Sequence, residues 1–288
     1  MEKSVKTPMG TKQKFLLNRC LVLLLFLALT VLLMLPLYAI FLASFKPGQE
    51  LIRYGLNLKL NFTVMSLKNY RELFFGNNSY FIWFRNSFIL TIAQTVITLL
   101  VSACVGYGFA MYEFKYKNFL FTCVLLIMMV PFEILMLPMY QQTITMHLTN
   151  KYTGIILPFV ANASAVFFFR QFLSGIPKEI MDAGRVDGVS EYGIFARLIL
   201  PLMKPAFAAM AILNGMNSWN NFLWPLLVLR DAKKLTLPIG LNTLITPYGN
   251  NYDLLVAGSC FSIFPILILF LCFQKYFIEG LTAGSVKG

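Results

Sequence analysis

The chain has 288 residues, of which 58% are hydrophobic and 12% charged, with a mean hydropathy of +0.70. Soluble domains carry about 25% charge, so a soluble enzyme and a disordered chain are both excluded and a polytopic membrane protein remains. The formal charge of +12 then reads as basic loops that set topology and meet anionic lipid, and no nucleic-acid recognition module is visible.

A spanning helix needs about 20 apolar residues. Six segments reach that length: 20–44, 82–110, 118–140, 153–172, 205–229 and 254–277. They are unbroken apolar runs, not the alternating segments of a membrane barrel, and helices alone satisfy their own backbone within each segment. The predicted fold is therefore all-α, with six transmembrane helices. Residues 1–19 carry Lys3, Lys6, Lys12, Lys14 and Arg19 against Glu2 and form a basic tail expected in the cytoplasm. The six-helix domain then covers 20–277. Its loop 45–81 is expected outside as a small ordered cap, loop 173–204 is expected inside, and the tail 278–288 is again cytoplasmic. The cysteines Cys20, Cys104, Cys123, Cys260 and Cys272 lie in or beside apolar runs, make no CxxC pair, and read as small buried hydrophobes.

No P-loop, HExxH or GxSxG motif is present, and His147 is the sole histidine. A membrane-embedded enzyme would need a cluster of His, Asp or Glu, and a secondary carrier would show internal symmetry and several midplane ionisable groups. Glu133 is the one acid well inside an apolar run; it either lines a path or sits at a wet boundary beside Pro131 and Pro138. The second segment carries Ser87, Thr91, Thr95, Thr98 and Ser102 on one face, continued by Gly106 and Ala110. Close helix packing is the better reading of that face, and lining a path is the other. The fifth segment carries Asn214, Asn217, Asn221 and Trp224 at helical spacing, with Asn220 and Trp219 alongside. Amides donate and accept, and an indole can stack on a sugar ring, so these residues suit a neutral polyhydroxylated ligand. Interhelical hydrogen bonding is the alternative.

The most specific pattern lies in the 173–204 loop, Ile176-Pro177-Lys178-Glu179-Ile180-Met181-Asp182-Ala183-Gly184-Arg185-Val186-Asp187-Gly188, running on to Leu198-Ile199-Leu200-Pro201. It reads as a short amphipathic helix with Glu179 and Asp182 near its positive end, a reversal at Gly188 through a left-handed conformation, and a second helix. It is either a docking element for a cytoplasmic partner or a plain connector.

This loop resembles the "EAA" loop of binding-protein-dependent ABC importer permeases, in which EAA, three residues, Gly and nine residues precede I-x-L-P. Asp182-Ala183-Gly184 stands for EAA, Gly188 for the glycine, and Leu198 to Pro201 for the ending. Gly184 in place of alanine should weaken the local helix by roughly 0.5–1 kcal/mol. Further stretches are similar to the carbohydrate branch, the MalG-like permeases. They are Ser44-Phe45-Lys46-Pro47, Leu67-Lys68-Asn69-Tyr70, Asn86-Ser87, Trp219-Asn220-Asn221-Phe222 with Trp224-Pro225, and the ending Gly280 to Gly288.

The resemblance implies one half of a transmembrane heterodimer in the bacterial cytoplasmic membrane. Its partners would be a second, MalF-like permease, two cytoplasmic ATPase subunits and an external sugar-binding protein. The sugar would be the cargo, and ATP and Mg would be held by the ATPases, with no cofactor on this chain. The loop residues Glu179, Asp182, Ala183, Gly184, Arg185, Asp187, Gly188, Leu200 and Pro201 would then couple the chain to an ATPase, and the C-terminal tail would reach the ATPase interface. A permease for a non-sugar solute is the alternative, and a secondary carrier a more distant one.

Overall fold

The computed structural model describes residues 11–246 and 249–283. Lys3, Lys6 and the end of the C-terminal tail, 284–288, lie outside the described residues. In chain order the helices are α1 (Thr11–Ser44), α2 (Gly48–Tyr54), α3 (Lys68–Phe75), α4 (Tyr80–Met111), α5 (Lys117–Met128), α6 (Phe132–Thr145), α7 (Tyr152–Ile156) and α8 (Ala163–Leu173). There follow α9 (Glu179–Val186), α10 (Glu191–Gly193), α11 (Leu200–Leu202), α12 (Lys204–Trp219), α13 (Leu223–Val228), α14 (Leu237–Asn242), α15 (Tyr252–Phe261) and α16 (Ile263–Ala283). A two-residue strand pair, Ile245–Thr246 with Gly249–Asn250, precedes α15.

Among the described residues, three helical stretches are long and apolar enough to cross a membrane: Asn18–Ser44, Tyr80–Met111 and Tyr252–Lys275. Three bent pairs raise the number to six if each counts as one span. The third segment breaks by 101° between α5 and α6. Pro131 causes the break, since it lacks an N–H and disfavours helical backbone at Val130. The fourth bends by 43° ahead of Ala163. The predicted fifth segment, 205–229, is not one helix. α12 stops at Trp219, Asn220 caps it, and α13 restarts at Leu223 around Pro225. On its other side α12 is preceded by an apolar stretch, Glu191–Leu202, bent from it by 75°. The basic N-terminal segment is also helical from Thr11 onward, so α1 extends beyond the membrane-length part of the chain.

Two compact units are distinguished. The first comprises Met1–Gly76 with Asn251–Cys260. Here the cap expected between the first two spans is built by two of the sequence motifs recognising one another. The Asn69 amide donates to the carbonyls of Ser44, at 3.0 Å, and Lys46, at 2.8 Å. The Tyr70 hydroxyl meets Ser44 Oγ at 2.8 Å, and burial pushes the Tyr70 phenol up to about 12. The buried Lys46 ammonium donates to Asn57 Oδ1 at 2.8 Å, and the Gly48 N–H donates to the Asp253 carboxylate.

The second unit comprises Asn77–Asn250 with Phe261–Gly288. α8 packs along α4, and at Gly106 the two helices come close enough that a Cβ would lie 2.8 Å from Phe169 Cβ and 3.2 Å from the Val166 carbonyl oxygen. The Ser102–Gly106–Ala110 face is thus a packing face. A Gly106→Leu chain is expected to lose about 1–3 kcal/mol through overpacking, read as a lowered melting temperature in detergent. Of the cysteines, only Cys260 is buried; Cys20, Cys104 and Cys272 are exposed on the chain and Cys123 is half-buried, so the expectation of burial holds for Cys260 alone.

Candidate functional site

The bends of the third and fourth segments open onto one cleft of about 560 Å³. Val130 and Phe132 bring the first break to its wall, and Ala161 and Asn162 bring the second. Irregular backbone at membrane depth is tolerated where it lines a polar cavity. The opposite wall is α12, which presents Asn214, Asn217 and Ser218, with Asn221 just past its end; α4 adds Gln94 and Thr98. Amides and hydroxyls therefore face apolar rings and methionines, and among the described residues no charged side chain lines the cleft.

Some of this polarity is already committed. The Asn214 amide donates to the Met210 carbonyl at 3.1 Å, Ser218 Oγ donates to Gln94 Oε1 at 3.3 Å, and Thr98 Oγ1 donates to the Phe159 carbonyl at 2.9 Å. Asn162 caps α8 by accepting from the Ala165 N–H at 3.0 Å. Among the described residues, Asn214 Oδ1 and the amides of Asn217 and Asn221 carry no such bond, so they are available to hydroxyls.

Of the residues singled out in sequence, Asn214, Asn217 and Asn221 line the cleft, whereas Asn220, Trp224 and Glu133 do not. Trp224 is corrected most clearly. It is fully buried, its Nε1 donates to the Gly154 carbonyl at 3.1 Å, and it packs edge-on against Phe132 and Phe159. The rings that face the cleft are those two phenylalanines, and Trp224 props them from behind. Glu133 is exposed in the first turn of α6, and Asn220 is exposed at the C-cap of α12. Gln94, Asn162, Ser164 and Ser218 also line the cleft, and spacing along a single helix does not reveal them; Pro158, just ahead of the second bend, is the sequence signal that bears on Asn162 and Ser164.

The other sequence-stretch motifs act as anchors. The Asn86 amide donates to the carbonyls of Lys233 and Leu235, each at 2.9 Å, and Ser87 Oγ accepts from the Leu237 N–H at 2.8 Å. Trp219 Nε1 donates to the Ser262 carbonyl at 3.2 Å.

The 173–204 stretch is not a loose connector. Met181, Ile194, Ile199 and Met203 are buried in the same apolar core as Phe169 of α8 and Tyr107 of α4. α9 divides into two faces at helical spacing: Met181 and Gly184 point inward, and Glu179, Asp182, Ala183 and Val186 point outward. Gly184 has a packing reason absent from its propensity. A Cβ there would lie 2.8 Å from Leu198 Cδ1 and 3.0 Å from Ile194 Cγ1, so the glycine lets α9 close on the helix that follows. α9 ends in a Schellman turn. Gly188, at φ +71, sends its N–H to the Arg185 carbonyl at 3.1 Å, and the Val189 N–H reaches the Gly184 carbonyl at 2.9 Å. Ser190 then caps α10 by accepting from the Gly193 N–H at 3.2 Å. Asp187 is exposed, Leu200 is half-buried and Pro201 is exposed. Two apolar side chains that the sequence reading passed over, Val186 at 87% and Tyr192 at 89% exposure, project to either side of the turn.

Arg185 holds the turn closed, pairing with Glu191 at 2.7 Å and Asp182 at 3.0 Å. The guanidinium, and secondly the Tyr112 hydroxyl, hold the Glu191 carboxyl below the usual range, while Lys117 and Lys178 do the same for Glu113. A lowered folded pKa stabilises above the unfolded value and is lost as pH falls through the folded one. Hydrogen-exchange protection of residues 179–193 is therefore expected to hold from neutral pH down to about 4.3, the ordinary glutamate value, and to fall below it.

The model of the binding-protein-dependent transport system inner membrane component family matches residues 102–282. The chain belongs to this family. It is 53% identical over 275 residues to the arabinooligosaccharides transport system permease protein AraQ of Bacillus subtilis (strain 168), covering 96% of this chain and 98% of that one. It is 56% identical over 253 residues to the AraQ protein of Halalkalibacterium halodurans, covering 88% and 91%. Its fold matches a chain in the crystal structure of a bacterial ABC transporter involved in the import of the acidic polysaccharide alginate. The TM-score is 0.79 at 19% identity, over 94% of this chain and 100% of that one. This inner membrane component is accordingly a multi-pass transport permease with the ABC importer fold, a transport subunit and not an enzyme.

Proposed function

We propose that this permease is one transmembrane half of an ATP-driven importer of oligosaccharides, of the arabino-oligosaccharide class named for its relatives. The single observation that carries the substrate reading is the uncharged, amide-lined wall of the cleft. Neutral donors and acceptors beside Phe132 and Phe159 match the hydroxyls and the apolar ring faces of a sugar. The other half of the path is a MalF-like permease, and an external binding protein delivers the sugar. Two cytoplasmic ATPases hold ATP and Mg. Both termini lie in the cytoplasm, on the side of the basic N-terminal residues, and 173–204 lies on that side too.

In the cycle, ATP binding closes the ATPase pair, which carries the loop with it. The exposed face of α9 (Glu179, Asp182, Ala183), with Val186, Asp187 and Tyr192 around the Gly188 turn, seats in a groove of one ATPase. Apolar knobs on a charged rim are what such a contact needs. Because Met181 and Ile194 are continuous with the span core, displacement of the loop displaces the spans. The cleft then alternates between the two sides of the membrane, and hydrolysis resets it.

Co-purification from native membranes tests this reading. A second permease, an ATPase and hydrolysis stimulated by binding protein loaded with arabino-oligosaccharide are expected. A lone chain without ATPase overturns it.

A further inference from the structure

The short connection between α4 and α5 touches the 173–204 loop twice, from two adjacent residues. The Tyr112 hydroxyl donates to Glu191 Oε2, beyond the Gly188 turn. Glu113 Oε1 accepts from Lys178 Nζ at 3.2 Å, at the opposite end of α9, and from Lys117 Nζ at 3.1 Å. Lys117 also donates to the Tyr112 carbonyl at 2.8 Å, which fixes the connection itself. Arg185 passes the Glu191 attachment on to Asp182 within α9. The Tyr112 ring stands edge-on to Tyr107 at 5.4 Å, and Tyr107 lies 4.8 Å from Phe195, four residues beyond Glu191.

These contacts are solvent-exposed, and exposed ion pairs add little to stability. Their geometry has a different consequence. A single attachment leaves a hinge, whereas two attachments flanking the turn fix both the position and the direction of α9. α4 is also the helix that brings Gln94 and Thr98 to the cleft.

We propose that Tyr112 and Glu113 are positioning residues that clasp the loop at both ends, so that residues 178–191 and the α4–α5 connection move as one body throughout the transport cycle. Movement of the loop then reaches the second and third spans through the clasp as well as α12 along the chain. The inference deepens the importer reading above and rests on it.

The experiment uses the complete complex in proteoliposomes, with the five native cysteines replaced by serine and with Tyr112→Cys and Glu191→Cys introduced. Without cross-linker, import per ATP hydrolysed is expected to fall about five-fold, the worth of an ordinary intramolecular hydrogen bond, while assembly and stimulated hydrolysis persist. A short bifunctional thiol reagent is expected to join the two cysteines and restore the ratio. Tyr112→Phe, which removes only the hydroxyl, should lower the ratio in the same direction and guards against a misfolded double variant. An unchanged ratio in the uncross-linked variants, failure of the cysteines to join, or arrest of import once they are joined each overturns the clasp. If the parent complex itself imports nothing with ATP, the importer reading has failed instead.

Discussion

Gly188→Pro is expected to abolish ATP-driven import while leaving the chain inserted and assembled. Gly188 sits at φ +71, and proline is confined near −65°. The substitution also deletes the N–H that bonds the Arg185 carbonyl and restricts Asp187 before it. The Schellman turn then cannot form, and the loop that carries Val186 and Tyr192 loses its shape. A backbone conflict of about 3 kcal/mol corresponds to roughly a 100-fold loss of coupled transport. Gly188→Ala retains the N–H and is expected to cost about 1–2 kcal/mol and to retain partial transport. Asp182→Lys should act in the same direction, because it sets two cations against each other at Arg185 and places positive charge at the positive end of α9. Uptake and ATP hydrolysis measured side by side in proteoliposomes distinguish uncoupling from loss of assembly. Full import by Gly188→Pro would remove the loop from the mechanism.

Asn217→Leu and Asn221→Leu are expected to lower import by about 10-fold or more each. Every lost ligand hydrogen bond in a partly desolvated site costs about 1–3 kcal/mol, and the apolar replacement leaves a sugar hydroxyl unpaired. The loss should appear mainly as a higher sugar concentration for half-maximal uptake, with the melting temperature unchanged. Asn220→Leu, outside the cleft lining, is the matched control and should import normally. Trp224→Phe should instead lower stability, since it removes the buried bond to the Gly154 carbonyl without removing a cleft group. Normal uptake by both cleft variants, with a lower melting temperature, would assign these amides to helix packing.

The helical periodicity of the spans was readable because a membrane helix must present an unbroken apolar run. The Gly188 turn was readable because few residues tolerate a left-handed backbone. The Asn214, Asn217 and Asn221 face followed from 3.6-residue spacing alone. The remainder was set by tertiary packing that no single segment contains. Trp224 looked like a ligand platform because an indole at helical spacing carries no label for which neighbour it meets; only the fold brings Gly154 to its nitrogen. Asn162, Gln94 and Ser218 come from different segments and meet only in the fold: α4 packs on α12, and the bend before Ala163 brings Asn162 to the same cleft. Gly184 looked like a weak point in a helix until Leu198 and Ile194 were seen to occupy the space of its missing side chain. The attachments from Tyr112 and Glu113 were hidden for the same reason, since their partners lie at Glu191 and Lys178.

The most direct test of the central claim is uptake of labelled arabino-oligosaccharide into proteoliposomes that contain this chain, its co-purified partners and enclosed ATP, with loaded binding protein on the opposite face. Uptake is expected to require all of these, to persist when ion gradients are collapsed, and to stop with Gly188→Pro. Uptake by this chain alone, driven by an ion gradient and indifferent to ATP, would contradict the account.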